Sequence, residues 1–347
     1  MSERARTWAV WIGSVLLGGL LLYLSLRQVD FAEVATAFRD ADYRWLAPLA
    51  GIALLSHGLR AWRWRLFLDR LPLDRPQAQC ATTLQAFYSV MIGYMVNYVA
   101  ARLSEFVRVG NLAVQTRQSY SAVLGTVVLE RLLDIVVLAL GVALVFGVLI
   151  SRGSDDLLGL FAERLETVSV GTLALAAVAG LVLLVLIGVF LWRWMQRGSA
   201  LATRMQAMLV SFSDGLKTIL RLEHPWRVVG ATIGIWGCYV LLAYGMFFMF
   251  ALEDAYPLTL IDGAVVLFIG SLSALVPTPG GAGASHFLTI TLLTSLYGID
   301  PALAASYAVF SHGGQWILYT VVGVLCMALQ GRSAFRLPPR LDPSPNP

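Results

Sequence analysis

Arg102, Glu105 and Arg108 stand three residues apart, and Glu130 and Asp134 stand four apart with Arg131 beside them, in sequence that is otherwise largely apolar. On helices, these spacings place the first three on one stripe next to Asn97 and the two acids on one face. A charge at the centre of a lone membrane helix costs about 2.5–3.5 kcal/mol on insertion scales, so such groups face a partner or a wet cavity. Two roles stay open. Arg102 and Arg108 pair with Glu130 and Asp134 to hold neighbouring helices together, or an arginine is left to grip a lipid phosphate, which needs a forked donor in a low-dielectric site.

A second place with chemistry is VPTPGGAGASHF. Pro277, Pro279, Gly280, Gly281 and Gly283 stop one half-helix and let the chain turn. From about Ala282 a new half-helix begins, and its free N–H groups make an anion site. The alternative is a tight turn between packed helices, since glycines also permit close approach. His286 and His312 follow, as headgroup hydrogen-bonders or as satisfied core histidines. His57 and His224 sit towards the inner boundaries of spans and are given no role. The three cysteines, Cys80, Cys238 and Cys326, lie apart in apolar sequence with no metal-ligand spacing and are read as packing residues. No nucleophile elbow, zinc motif, phosphate loop or cofactor motif appears, so no catalytic residue, metal or cofactor is assigned and the protein is expected not to be an enzyme.

The elements that must position these groups are membrane helices. Of 347 residues, 58% are hydrophobic and 13% charged, against about a quarter charged in a soluble domain, and mean hydropathy is +0.73. Spans are expected at 8–26, 45–63, 120–150, 168–194, 226–252 and 301–329, each long enough to cross a hydrocarbon core of about 30 Å. Two further apolar regions, 78–118 and 259–298, are broken in the middle by the polar and glycine-rich stretches described above. If both breaks turn the chain back, sixteen Lys and Arg, including Arg60, Arg63 and Arg65, fall in inner segments and five in outer ones. The termini are then cytoplasmic, and the chain forms two inverted halves, about 1–150 and 168–330, each a span followed by span, hairpin, span. Ile92-Gly93 and Ile269-Gly270 precede the two breaks. Residues 197–222 read as an amphipathic helix on the inner surface, and 331–347 as a disordered tail. The fold class is thus an all-α polytopic membrane protein in one domain, 1–330, with two re-entrant hairpins.

NYVAARLSEFVRVGNL, VVLERLLDIVVL and VPTPGGAGASHF together resemble the lysylphosphatidylglycerol synthase transmembrane-region family, over nearly the whole chain. That family is a flippase-like membrane domain, found alone or fused to a soluble aminoacyltransferase. The resemblance implies that Asn97, Arg102, Glu105, Arg108, Glu130, Arg131 and Asp134 occupy its polar core. Ala100 and Ser104 stand where the family usually has Pro and Gly, and His286 where many members have Glu.

Three functions follow for comparison. A lipid flippase or scramblase is favoured by the broken helices and intramembrane charges; a small-solute or ion-coupled transporter and an enzyme acting on lipid headgroups are the alternatives. The expected partners are lipids with anionic or zwitterionic headgroups in a bacterial or archaeal cytoplasmic membrane, a second copy of the chain, and a separate lipid-modifying enzyme. The basic residues lie between apolar segments, which argues against nucleic acid.

Overall fold

The computed structural model describes residues 16–27, 29–73, 78–99, 103–151, 200–276, 278 and 281–331. The span expected at 168–194, the start of the one at 8–26 and the tail from 332 lie outside these. All regular structure among the described residues is helical. Among the described residues twelve α-helices, three of their connections containing a short 3-10 turn, follow in order: α1 Leu16–Leu26, α2 Phe31–Asp40, α3 Leu46–Leu68, α4 Thr83–Val99, α5 Ser104–Thr116, α6 Tyr120–Ser151, α7 Ala200–Lys217, α8 Pro225–Met249, α9 Leu252–Ala255, α10 Leu260–Ser271, α11 Ala284–Tyr297 and α12 Pro301–Gln330.

Of the described helices, α6, α8 and α12 are long and apolar enough to cross a membrane. At 32 residues and 1.5 Å per residue, α6 is about 48 Å long. Its Ile135, Leu140 and Leu144, like Ile317, Val324 and Leu329 of α12, are exposed apolar side chains, as a lipid-facing surface requires. Local signals set several helix starts. Asp30 caps α2 by accepting from the Ala32 amide at 2.7 Å. Thr259 and Asp262 form a capping box at α10, and Asp300 with Pro301 opens α12.

Both broken regions become pairs of helices, α4–α5 and α10–α11. Gly93 and Gly270 each face the return arm of their own pair. A Cβ on Gly93 would meet the Arg108 Cβ at 3.1 Å, and one on Gly270 the Thr289 hydroxyl at 3.6 Å. Across the molecule, α3 packs against α8, α4 against α12, and α10 against α6. The first pair therefore leans on α12 and the second on α6. The helix within 197–222, α7, crosses α6 where Gly215 meets Gly125, so closely that a Cβ on Gly215 would lie 2.2 Å from the Ala122 carbonyl oxygen.

The structure departs from the sequence reading in three places. The segment 27–44, read as a connection, contains α2, whose Phe38 packs against Phe250 and Phe310. Helix α3 does not end at 63 but runs to Leu68, because Trp64, Phe67 and Leu68 keep burying its inner face. Arg60 and Arg63 consequently leave the inner loop and become buried groups. Cys238 and Cys326 are buried, whereas Cys80 is exposed rather than a packing residue of the core.

Candidate functional site

Glu130 of α6 is fully buried and gathers three arginines. Arg108 of α5 donates to its Oε2, Arg60 of α3 to its Oε1 at 2.5 Å, and Arg63 to the same oxygen at 3.4 Å. Asp134, one turn further along α6, receives Arg60 at 2.9 Å and Arg63 at 2.7 Å. One nitrogen of Arg60 and one of Arg63 thus each bridge the two carboxylates, while Arg108 meets Glu130 alone among the described residues; all are charge-assisted bonds. Arg108 also lies over the Trp64 ring at 4.5 Å, and Trp64 donates to Thr126 at 2.9 Å. Nearer the surface, Arg131 donates to Glu105 at 2.5 Å. Four arginines meet three carboxylates among the described residues, so the cluster carries one positive charge in excess.

The expected partner set is corrected accordingly. Arg108 does meet Glu130, but Asp134 is held by Arg60 and Arg63, which sequence reasoning had placed in a loop. Arg102 lies outside the described residues. The signal for the two missed arginines was present: His57, Arg60, Arg63 and Trp64 fall three to four apart, in step with the buried face of α3.

Beside the cluster lies a cavity of about 1050 Å3. Tyr239 of α8 joins the two, since the residue lines the cavity and its hydroxyl accepts from Arg60 Nη2 at 3.1 Å. Asn97, near the end of α4, lines it and accepts from Ser104 at 3.3 Å. Gly270, Ser271, Ser285 and Thr289 line it from the second helix pair, and His312 from α12. Both broken regions thus border one space.

In the glycine turn, Gly281 and Gly283 take φ of +77° and +82°, which favours glycine. Helix α11 starts at Ala284 without a side-chain cap. Ser285 instead donates to the Gly281 carbonyl at 2.9 Å. Pro277, Pro279 and Gly280 lie outside the described residues. His286 is buried with its Nδ1 unpartnered, and its ring stands 5.1 Å from that of His312. His57, given no role from the sequence, is 1% exposed, lines the cavity and has no hydrogen bond at either ring nitrogen among the described residues. Among the described residues no three His, Cys, Asp or Glu side chains come together as a metal site.

The family model described as "Lysylphosphatidylglycerol synthase TM region" matches residues 10–323. A relative named "Glycosyltransferase AglD", from Haloferax volcanii, is 25% identical over 90% of this chain; the chain spans about half, 53%, of that protein's length. No solved structure matches significantly. The match corrects one expectation. The protein was read as a non-enzyme because motifs for hydrolase, zinc and nucleotide chemistry were missing, yet a relative over most of its length is named for sugar transfer. Those motifs do not report on sugar transfer, so their absence does not exclude catalysis.

Proposed function

Because this chain belongs to the lysylphosphatidylglycerol synthase transmembrane-region family, we propose that it carries a polar-headed, phosphate-bearing lipid from one leaflet of its membrane to the other. The observation that carries this reading is a cavity bordered by both broken helix pairs and linked through Tyr239 to the arginine cluster. Discontinuous helices near a binding space, in two halves that lean on each other, are the architecture of alternating-access carriers. The reciprocal packing of α4 on α12 and of α10 on α6 supports inverted halves.

The chemistry is electrostatic. A phosphate crossing hydrocarbon needs compensation for its lost hydration. One excess positive charge in a low-dielectric surrounding offers it at moderate strength, because Glu130, Asp134 and Glu105 already neutralise three of the four arginine charges. Binding of that kind permits release, while the acyl or prenyl chains stay in the bilayer. The lipid-facing α6 and α12 border the same core.

The test is reconstitution in proteoliposomes with labelled lipids of several headgroups, comparing wild type with Ala50→Trp. Ala50 lines the cavity away from the charges, so the variant plugs the path and spares the cluster. Headgroup-dependent movement abolished by the plug supports the reading. Movement that is absent in the wild type, or unchanged by the plug in folded protein, overturns it.

The relative named a glycosyltransferase favours a second reading, in which the chain takes part in sugar transfer involving a lipid carrier. Incubating the purified protein with radiolabelled nucleotide sugars or lipid-linked sugars and a prenyl phosphate tests it. A new labelled glycolipid supports the reading; unchanged donors count against it.

A further inference from the structure

We infer that the headgroup received by this cavity is an uncharged sugar joined to its lipid through phosphate, rather than a cationic aminoacyl group. The inference rests on the translocation reading and deepens it.

The first support is charge. None of the described residues lining the cavity is charged. A lysyl or alanyl headgroup brings an ammonium, which needs a carboxylate partner when taken out of water. The nearest acids of the core, Glu130 and Asp134, are occupied by Arg60, Arg63 and Arg108, and the cluster behind the cavity is positive overall. An ammonium there would be repelled, and a phosphate attracted. Tyr239, held by Arg60, marks the place where a phosphate would lie nearest the excess charge.

The second support is His57. Its imidazole is almost fully buried, lines the cavity and is wedged between Tyr94 and Tyr319, with ring centroids at 4.4 and 4.5 Å. Neither of its nitrogens has a partner among the described residues, although buried polar groups are nearly always satisfied. A neutral imidazole offers one donor and one acceptor, the pair that adjacent hydroxyls of a sugar complement. Asn97 adds an amide on the same cavity wall, and the flat faces of Tyr94 and Tyr319 supply apolar area for the C–H face of a pyranose. A volume of about 1050 Å3 lies just above the range of about 300–1,000 Å3 common for small-molecule pockets, enough for a sugar with its phosphate. An aromatic cage for choline is the competing use of tyrosines, but Arg60, one turn from His57, disfavours a cation there.

The experiment is a competition measured by native mass spectrometry on the full chain in a sugar-free polyoxyethylene detergent. The probes are farnesyl phosphoglucose, farnesyl phosphate, lysyl-phosphatidylglycerol and phosphatidylcholine. The glycosylated lipid is expected to bind about tenfold more tightly than the others, the scale of one or two hydrogen bonds. In His57→Phe that advantage falls to about twofold, while farnesyl phosphate binds as to wild type, which also reports an intact fold. Asn97→Leu provides the same comparison should His57→Phe fail to fold. Equal or tighter binding of lysyl-phosphatidylglycerol or phosphatidylcholine overturns the inference, as does an advantage that survives both substitutions. Selective binding of the glycosylated lipid with no movement of any lipid in proteoliposomes overturns translocation instead and leaves the headgroup assignment standing.

Discussion

The hydroxyl of Tyr239 accepts a hydrogen bond from Arg60 at 3.1 Å, which links the buried charge cluster to a residue of the cavity wall. Tyr239→Phe keeps the ring and removes the acceptor. One buried guanidinium N–H is then left unsatisfied, at a cost of about 1–3 kcal/mol. The variant is expected to unfold at a lower temperature in detergent and to move an anionic lipid more slowly in liposomes. If lipid movement is unchanged while stability falls, Tyr239 serves only the cluster and not the path.

Glu130 is the acceptor shared by Arg60, Arg63 and Arg108. Glu130→Gln raises the excess from one positive charge to two, leaving Arg60 and Arg63 on Asp134 and Arg108 without its carboxylate. Breaking a buried ion-pair group by removing one partner costs about 3–5 kcal/mol. Pairing it with Arg108→Met restores the original excess and is expected to recover a large part of the loss, so the two changes are non-additive. Thermal unfolding of the four proteins of this cycle measures the coupling. Additive effects would mean that Arg108 and Glu130 do not act as one unit.

Much of this cluster was legible in the sequence, for a physical reason. Glu130, Asp134 and Arg108 are charges inside apolar runs, and membrane energetics makes such charges conspicuous. Arg60 and Arg63 were hidden because they come at the end of an apolar run, where a charge ordinarily marks the membrane surface. Only the continued burial of Trp64 and Phe67 places them inside. Helix α2 was overlooked because its average composition is polar, although Asp30 followed by Glu33 is the spacing of a helix start. The role of His57 could not be read at all. Its significance comes from Tyr94 and Tyr319, which lie on other helices and far away in sequence.

Outside the spans, Arg70 donates to Glu223 at 2.6 Å and ties the end of α3 to the segment before α8. The Arg70 guanidinium holds the Glu223 carboxyl below its ordinary value of 4.5. A depressed carboxyl contributes stability that is present above the ordinary value and is lost as pH falls through the folded one. Wild type and Glu223→Gln are therefore expected to differ slightly in unfolding temperature at pH 7 and to converge below about pH 4. Both groups are exposed enough for salt to shrink the difference. A gap that persists in acid or in high salt would show that Glu223 acts through packing rather than charge.

Gly283 and Gly281 separate two costs that usually come together. Both have positive φ, so an alanine at either strains the backbone by about 1–3 kcal/mol. A Cβ on Gly281 meets nothing, whereas one on Gly283 would lie 2.1 Å from the carbonyl oxygen of Gly18 in α1. Gly281→Ala should therefore lower stability and leave α1 in place. Gly283→Ala should lower it further and push α1 away from the turn. Spin labels on the exposed Leu20 and Leu329, each introduced through cysteine after the native cysteines are replaced, report the position of α1 as a distance distribution. A shift in Gly283→Ala alone is the expected result, and equal distributions in both variants would mean that α1 does not depend on this contact. Because the turn lies next to Ser285 on the cavity wall, the same pair of variants shows whether α1 influences lipid movement. Gly283→Ala would slow it beyond the loss seen in Gly281→Ala if α1 braces the second helix pair during transport.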